Sequence, residues 1–167
     1  QGIWSELENL WAMYVDGIKR RKVADLVGCQ AWSPDGRYIA YTVPAKDEGI
    51  EGAVYVADAE TLESWKVADC DFTPWDSVFW LSNDELTYLH EGHIYAVQAD
   101  SMEARRLNDI YITPPGVSGL APGLYRVSPG GRIIAWVPGG KLELWVADLD
   151  GSRATLVTDR RYPITDF

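Results

Sequence analysis

The chain has 167 residues, with 15 Lys+Arg against 25 Asp+Glu, a formal net charge of −10 and 47% hydrophobic residues. This composition excludes wholesale disorder and suits one domain with a real core, and the acidic balance argues against a nucleic-acid backbone as main partner. Two Cys are too few for a disulfide-built scaffold, and no apolar run approaches the roughly 18 residues of a membrane span.

The chain opens on Gln1-Gly2 with no initiator Met or signal peptide, which reads as a mature form or a piece of something longer. Residues 5–15 satisfy two patterns. Ser5-Glu6-Leu7-Glu8 fits a helix capping box, and Leu7, Leu10, Trp11, Tyr14 and Ile18 fall at helical spacing. Yet 10–17 aligns without gaps with 54–61, 94–101 and 144–151, so strand is the expectation. In this alignment Trp11, Tyr55, Tyr95 and Trp145 lie 44, 40 and 50 residues apart, and Val23, Val67, Leu107 and Val157 keep the same spacing.

A further marker, Ala31-Trp32-Ser33-Pro34-Asp35-Gly36-Arg37-Tyr38-Ile39-Ala40-Tyr41, recurs at 125–136 around Ser128-Pro129-Gly130-Gly131. A copy one residue shorter, without Ser-Pro, runs over 79–88, and its turn is expected to be built differently. Each period reads as four short strands, A to D, rich in Val, Ile, Tyr and Trp. In the second period they fall at about 28–33, 37–43, 52–58 and 64–68. Pro-Asp-Gly turns A into B, and Asp16-Gly17 or Asp150-Gly151 makes a short hairpin from C to D.

Periods of roughly 40–50 residues with four strands each mark a β-propeller. The fold class is therefore all-β: a propeller of four-stranded antiparallel blades, about four blade-lengths in one domain. The expected blades are 1–26 (partial), 28–70, 76–109 and 124–159, with 164–167 starting the next blade or closing the ring. A three-residue latch is shorter than an ordinary strand, so membership of a larger ring is the preferred expectation. The repeated aromatics Trp11, Tyr55, Tyr95 and Trp145 are expected between blades.

The 32–41 segment and Leu144-Trp145-Val146-Ala147-Asp148-Leu149-Asp150-Gly151 resemble the WD-like repeat of the TolB-like propeller family, also found in propellers of prolyl oligopeptidase-type and tricorn-type peptidases. The resemblance covers about 10–159. It implies that Ser33, Pro34, Asp35 and Gly36 shape turns, that rings have six or more blades, and that the module is extracytoplasmic and binds proteins.

Candidate sites follow from the topology. The D-to-A connections Asp71-Phe72-Thr73-Pro74-Trp75-Asp76, 109–116 and 160–165 gather at one end of the blades and combine aromatics with Pro. Phe72, Trp75, Tyr111, Ile112 and Tyr162 are the expected contact surface for a protein or peptide. His90 and His93 flank a two-residue turn and face each other, a weak metal candidate without a third ligand. Asp148-Leu149-Asp150-Gly151 reads as turn rather than calcium loop. The basic clusters at 19–22 and 105–106 fall on outer strands, with 160–161 just past one; there they discourage edge pairing. Cys29 and Cys70, one blade-length apart, are open to two readings: a disulfide between neighbouring blades or two buried thiols.

No nucleophile elbow, phosphate loop or His-Glu-x-x-His is present in the sequence. The leading reading is thus a non-catalytic interaction scaffold with no cofactor. The alternatives are a substrate-gating propeller of a peptidase, or a structural subunit that self-assembles.

Overall fold

The computed structural model describes residues 8–13, 20–44, 52–70, 78–112, 123–139 and 141–158. Among these the regular structure is entirely β, and strands consecutive in sequence pair antiparallel within four sheets. β1 (Glu8–Ala12) and β2 (Arg21–Val27) form a two-stranded sheet. Blade I is β3 (Gln30–Trp32), β4 (Tyr38–Val43), β5 (Gly52–Asp58) and β6 (Ser64–Cys70). Blade II is β7 (Phe79–Trp80), β8 (Glu85–His90), β9 (His93–Gln98) and β10 (Ala104–Arg106). Blade III is β11 (Leu124–Val127), β12 (Ile133–Val137), β13 (Trp145–Asp148) and β14 (Thr155–Leu156). The choice at 5–15 falls to strand over Glu8–Ala12, since Trp11 pairs with Lys22 across the sheet.

The repeat has a physical centre. In each blade an aromatic of the second strand lies directly opposite one of the third: Tyr41 with Tyr55, Tyr88 with Tyr95, Trp136 with Trp145. Their rings stack at 5.6, 5.9 and 6.1 Å between centroids. Such cross-strand pairs lock register, because a one-residue slip would carry the ring to the other face. Each pair lies against the preceding sheet. Tyr41 and Tyr55 join Val27, Leu10 and Val23; Tyr88 and Tyr95 join Val54, Val56 and Val67; Trp136 and Trp145 join Leu89 and Phe79. Trp11 departs from the expected interior position. It stays 42% exposed, with the Arg20 guanidinium 4.0 Å from its ring centroid.

Sheets packed on both faces have second strands buried on both faces. Ile39, Ala40, Tyr41 and Thr42 are all buried in β4, as are Leu86, Thr87, Tyr88 and Leu89 in β8. Two of these positions are threonines, which need partners in an apolar setting. Thr87 Oγ1 donates to Phe79 O at 3.2 Å and accepts from the Tyr125 hydroxyl at 3.2 Å. The Tyr125 ring meets Phe79 edge-on at 4.9 Å, and burial pushes its phenol far above the usual range.

The turns explain Ser-Pro-Asp-Gly. Ser33 Oγ donates to Asp35 Oδ1 at 2.7 Å and accepts from Tyr38 N at 2.9 Å, while Gly36 takes φ 75. Blade III repeats the device, with Ile133 N donating to Ser128 Oγ at 3.0 Å. In blade II, Glu85 N donates to Ser82 Oγ and Leu81 N to Glu85 O, a different and tighter turn. The turn at Asp150-Gly151 is wider than the expected two residues: Asp148 N donates to Ser152 O, and both Gly151 and Arg153 are left-handed.

The disulfide reading is corrected. Cys29 and Cys70 are buried thiols at opposite edges of blade I. Cys29 lies opposite Thr42 and Cys70 opposite Gly52, with β4 and β5 between them. Three strand spacings come to roughly 14 Å, twice the reach of a disulfide. The sequence spacing of one blade misleads because Cys70 ends the outer strand, whereas Cys29 stands just before the inner one.

Candidate functional site

In an antiparallel meander of four strands, the second-to-third hairpin and the connection to the next sheet leave at one end. The other two turns leave at the opposite end. The first end therefore carries the candidate contact surface. Of the five expected contact residues, Phe72, Trp75 and Tyr162 lie outside the described residues, and Tyr111 and Ile112 lie within them.

The hairpin from β8 to β9 turns at Glu91 (φ 50) and Gly92 (φ 74), which sets His90 opposite His93. The connection after β10 folds onto this hairpin. Leu107 N donates to Ile94 O at 2.9 Å, and Ile112 N to Gly92 O at 2.8 Å. Asn108 fixes the segment between: its Nδ2 donates to Leu149 O of blade III at 2.9 Å, and its Oδ1 accepts from Ile110 N at 3.0 Å. Arg106 is the hub. Its Nε donates to Asn108 O at 2.9 Å, and its Nη2 reaches both Asp109 Oδ1 and His93 Nδ1 at 3.0 Å.

A guanidinium only donates, so the contact with Arg106 is served by the tautomer in which His93 Nδ1 accepts and Nε2 carries the proton. The Ile110 carbonyl, also 3.0 Å from Nδ1, is served only by the opposite tautomer. The His93 ring supports Tyr111, with centroids 4.1 Å apart at 64°. Tyr111 is 39% exposed, an aromatic surface propped from beneath by a buried imidazole.

Ile112 requires a correction. It has 0% exposure and packs with Leu89, Ile134 and Tyr125. Its N–H goes to blade II and its carbonyl accepts from Gly139 N of blade III, so it is an interior anchor rather than a contact residue. A Cβ on Gly123 would stand 2.0 Å from the Ile112 oxygen, so the backbones cross where only glycine fits.

The two histidines expected as a weak metal pair are cross-strand neighbours, but their rings are engaged separately. His90 meets Tyr95 edge-on at 5.6 Å, and His93 is held by Arg106 and Tyr111. Among the described residues, no group of three or more His, Cys, Asp and Glu is placed to hold a metal ion. Asp148 and Asp150 act in their turn, and the Arg153 side chain holds the Asp148 carboxyl below the usual range. No described helix is long and apolar enough to cross a membrane.

Sequence reasoning missed Arg106 and Asn108. The Arg105-Arg106 pair reads as edge charge, which suits Arg105 bound to Glu85 at 2.7 Å. Nothing in the repeat signals that Arg106 turns back toward the hairpin.

Stacked four-stranded meanders define a β-propeller, and comparison with solved structures supports this class. The chain superposes on TolB from Acinetobacter baumannii with TM-score 0.60 at 18% identity, covering 93% of this chain and 39% of that one. The β-propeller domain of the Trilobed protease from Pyrococcus furiosus, described as having an open velcro topology, gives 0.58 at 16% identity, covering 90% and 49%. A Mycobacterium tuberculosis puromycin-hydrolyzing peptidase gives 0.57 at 21%, covering 91% and 24%. The chain thus spans less than half the length of each, and at these identities the shared property is the fold, a TolB-like β-propeller. No protein-family model and no curated protein matches the sequence.

Proposed function

We propose that this chain is a non-catalytic β-propeller platform, extracytoplasmic as the TolB likeness implies, that binds a protein or peptide at the end carrying Tyr111. The observation that carries this reading is the mounting of Tyr111. Its ring is exposed yet held on His93, and the backbone on both sides of it is tied to two blades. A rigid aromatic loses little entropy on binding, which is why such residues dominate contact surfaces. Phe72, Trp75 and Tyr162 are proposed to extend the surface on the equivalent connections.

The test is a selection of displayed linear peptides against the immobilised chain, repeated with Tyr111→Ala. Selected peptides are expected to bind the variant about tenfold more weakly, with an unchanged circular dichroism spectrum. Peptides that bind both proteins equally would place recognition elsewhere.

The likeness to two peptidase propellers favours a second reading, in which the chain filters substrates for a separate hydrolase domain. A hydrolase segment with a Gly-x-Ser-x-Gly elbow in the same gene would decide for it. The third reading, self-assembly, is favoured by the exposed Ile133, Leu142 and Val157 on blade III, and native mass tests it.

A further inference from the structure

His93 is a buried titratable group, and the contact reading uses it only as a support for Tyr111. One of its ring atoms has two partners that it cannot serve together. Nδ1 lies 3.0 Å from Arg106 Nη2, which only donates, and 3.0 Å from Ile110 O, which only accepts. A bare Nδ1 takes the hydrogen bond of the guanidinium. A protonated Nδ1 gives one to the carbonyl and turns its N–H against the N–H of Arg106.

Chemistry ranks the two arrangements in each charge state of the ring. In the neutral ring the proton can sit on either nitrogen. A hydrogen bond from a cation is roughly twice as strong as one between neutral groups, so the neutral ring keeps its proton on Nε2 and holds Arg106. In the imidazolium both nitrogens carry protons. Nδ1 then has no lone pair for Arg106, and two cations stand 3.0 Å apart. Arg106 is driven off, while Ile110 O is already in place for the new donor.

The surroundings let Arg106 move and make the move felt. Its side chain is 39% exposed, and its carboxylate partner Asp109 lies fully in solvent. Arg106 Nε holds Asn108 O, and Asn108 Oδ1 holds Ile110 N, one residue before Tyr111. Charged and titratable groups stand on each element around the ring. On the hairpin they are His90, set against Tyr95, and Glu91 of the turn. After β10 they are Arg106, Asp109 and Tyr111. Segment 113–122 contains no titratable residue. The hydrogen bonds from blade III to this connection come from backbone, at Leu149 O and Gly139 N.

We propose that His93 is a pH switch that sets the seat of Tyr111. Neutral, it clamps Arg106 and with it the 106–111 segment. Protonated, it donates from Nδ1 to Ile110 O, frees Arg106 and loosens Tyr111. The proton comes from solvent as pH falls through the imidazole range of about 5–8, and returns to solvent as pH rises. For peptide capture, which rests on the contact reading above, tight binding belongs to the neutral state and release to acid.

The experiment is a titration of the isotope-labelled full chain from pH 8 to pH 5. Ring-nitrogen shifts report the protonation of each His93 nitrogen, and His90 gives its own signals. At pH 8 Nδ1 of His93 should be bare and Nε2 protonated. Towards pH 5 both should be protonated, and the Arg106 Nε–H and Tyr111 ring signals should move with the same midpoint. Arg106→Met removes the donor from a partly exposed side chain. It should flip the neutral ring, leaving Nδ1 protonated at pH 8, and uncouple Tyr111 from the titration. Peptides whose binding needs Tyr111 should bind the wild-type chain about tenfold more weakly at pH 5 than at pH 8, and the variant with a ratio of about two or less. A proton on Nδ1 of the wild-type ring at pH 8 overturns the proposal. A ring still neutral at pH 5, or Arg106 and Tyr111 signals that ignore the titration, overturns it too. So does an affinity that needs Tyr111 yet is equal at the two pH values. If no peptide depends on Tyr111, the contact reading alone fails, and the ring signals still decide the switch.

Discussion

Blade II and blade III are built from the same repeat and differ in their neighbours. Blade II lies between blades I and III, so four consecutive residues of its second strand, Leu86 to Leu89, are buried. In β12 burial alternates. Ile134 and Trp136 face blade II and are buried, while Ile133 is 45% exposed. The same contrast separates Trp80 from Trp32, which each end the first strand of their blade. Trp80 is half-buried, its Nε1 donating to Ala31 O at 3.0 Å and its ring stacked on Tyr38, while Trp32 is 55% exposed. A repeat position thus has no fixed energetic weight. The apolar side chain stabilises by roughly 25 cal/mol per Å² only where a neighbouring sheet removes that area from water.

This contrast can be broken by experiment. The largest effect is expected from Trp80→Ala, which leaves a hole against Tyr38 and Ala31 and should cost about 3–5 kcal/mol. Trp32→Ala should cost about 1 kcal/mol or less. Urea denaturation of the two variants compares them directly, and equal losses would show that Trp32 is covered in solution. Next, Ile134→Ala should cost about 2–5 kcal/mol against under about 1 kcal/mol for Ile133→Ala. A large loss at Ile133 would mean that the outer face of blade III is covered.

Smaller again is Ser33→Ala. It removes the acceptor for Tyr38 N and the donor to Asp35 in a buried turn, at a cost of about 1–3 kcal/mol. The same change at Ser128 should cost less, since its bond to Ile133 N is exposed. The equilibrium midpoint of each variant decides.

The smallest effect is the pH dependence. Asp35, Asp58, Asp148 and Asp150 are all held below the ordinary 3.8, Asp35 and Asp58 chiefly by backbone N–H donors and Asp148 and Asp150 chiefly by side-chain donors. Their folded pKa values are depressed. The stabilisation is therefore complete above the unfolded pKa near 3.8 and is lost as pH falls below it. Asp35 and Asp150 are exposed and Asp58 and Asp148 partly exposed, so the slope should be shallow, and Asp148→Asn should flatten it further in urea titrations between neutral pH and pH 3.

Much of the fold was legible in the sequence because it depends on local chemistry. Pro34 and Gly36 mark a turn that hydrogen bonds then complete, and aromatics repeated from blade to blade, such as Tyr41 and Tyr55, mark strands that pair directly. The contact surface was less legible. Tyr111 and Ile112 are adjacent and both apolar, and only the backbone bonds to Gly92 and Gly139 turn one inward. The distance between Cys29 and Cys70 was likewise invisible, since one blade of sequence spacing fits both a shared connection and opposite sheet edges.

The sequence alone determined the strands, their order and the four-stranded unit, because period, turn residues and cross-strand aromatics act within a blade. The tertiary structure decided which equivalent residues are core and which are surface, because burial depends on the neighbouring sheet. Thus Trp80 holds an interface together, while Trp32, its counterpart one blade earlier, opens a cleft.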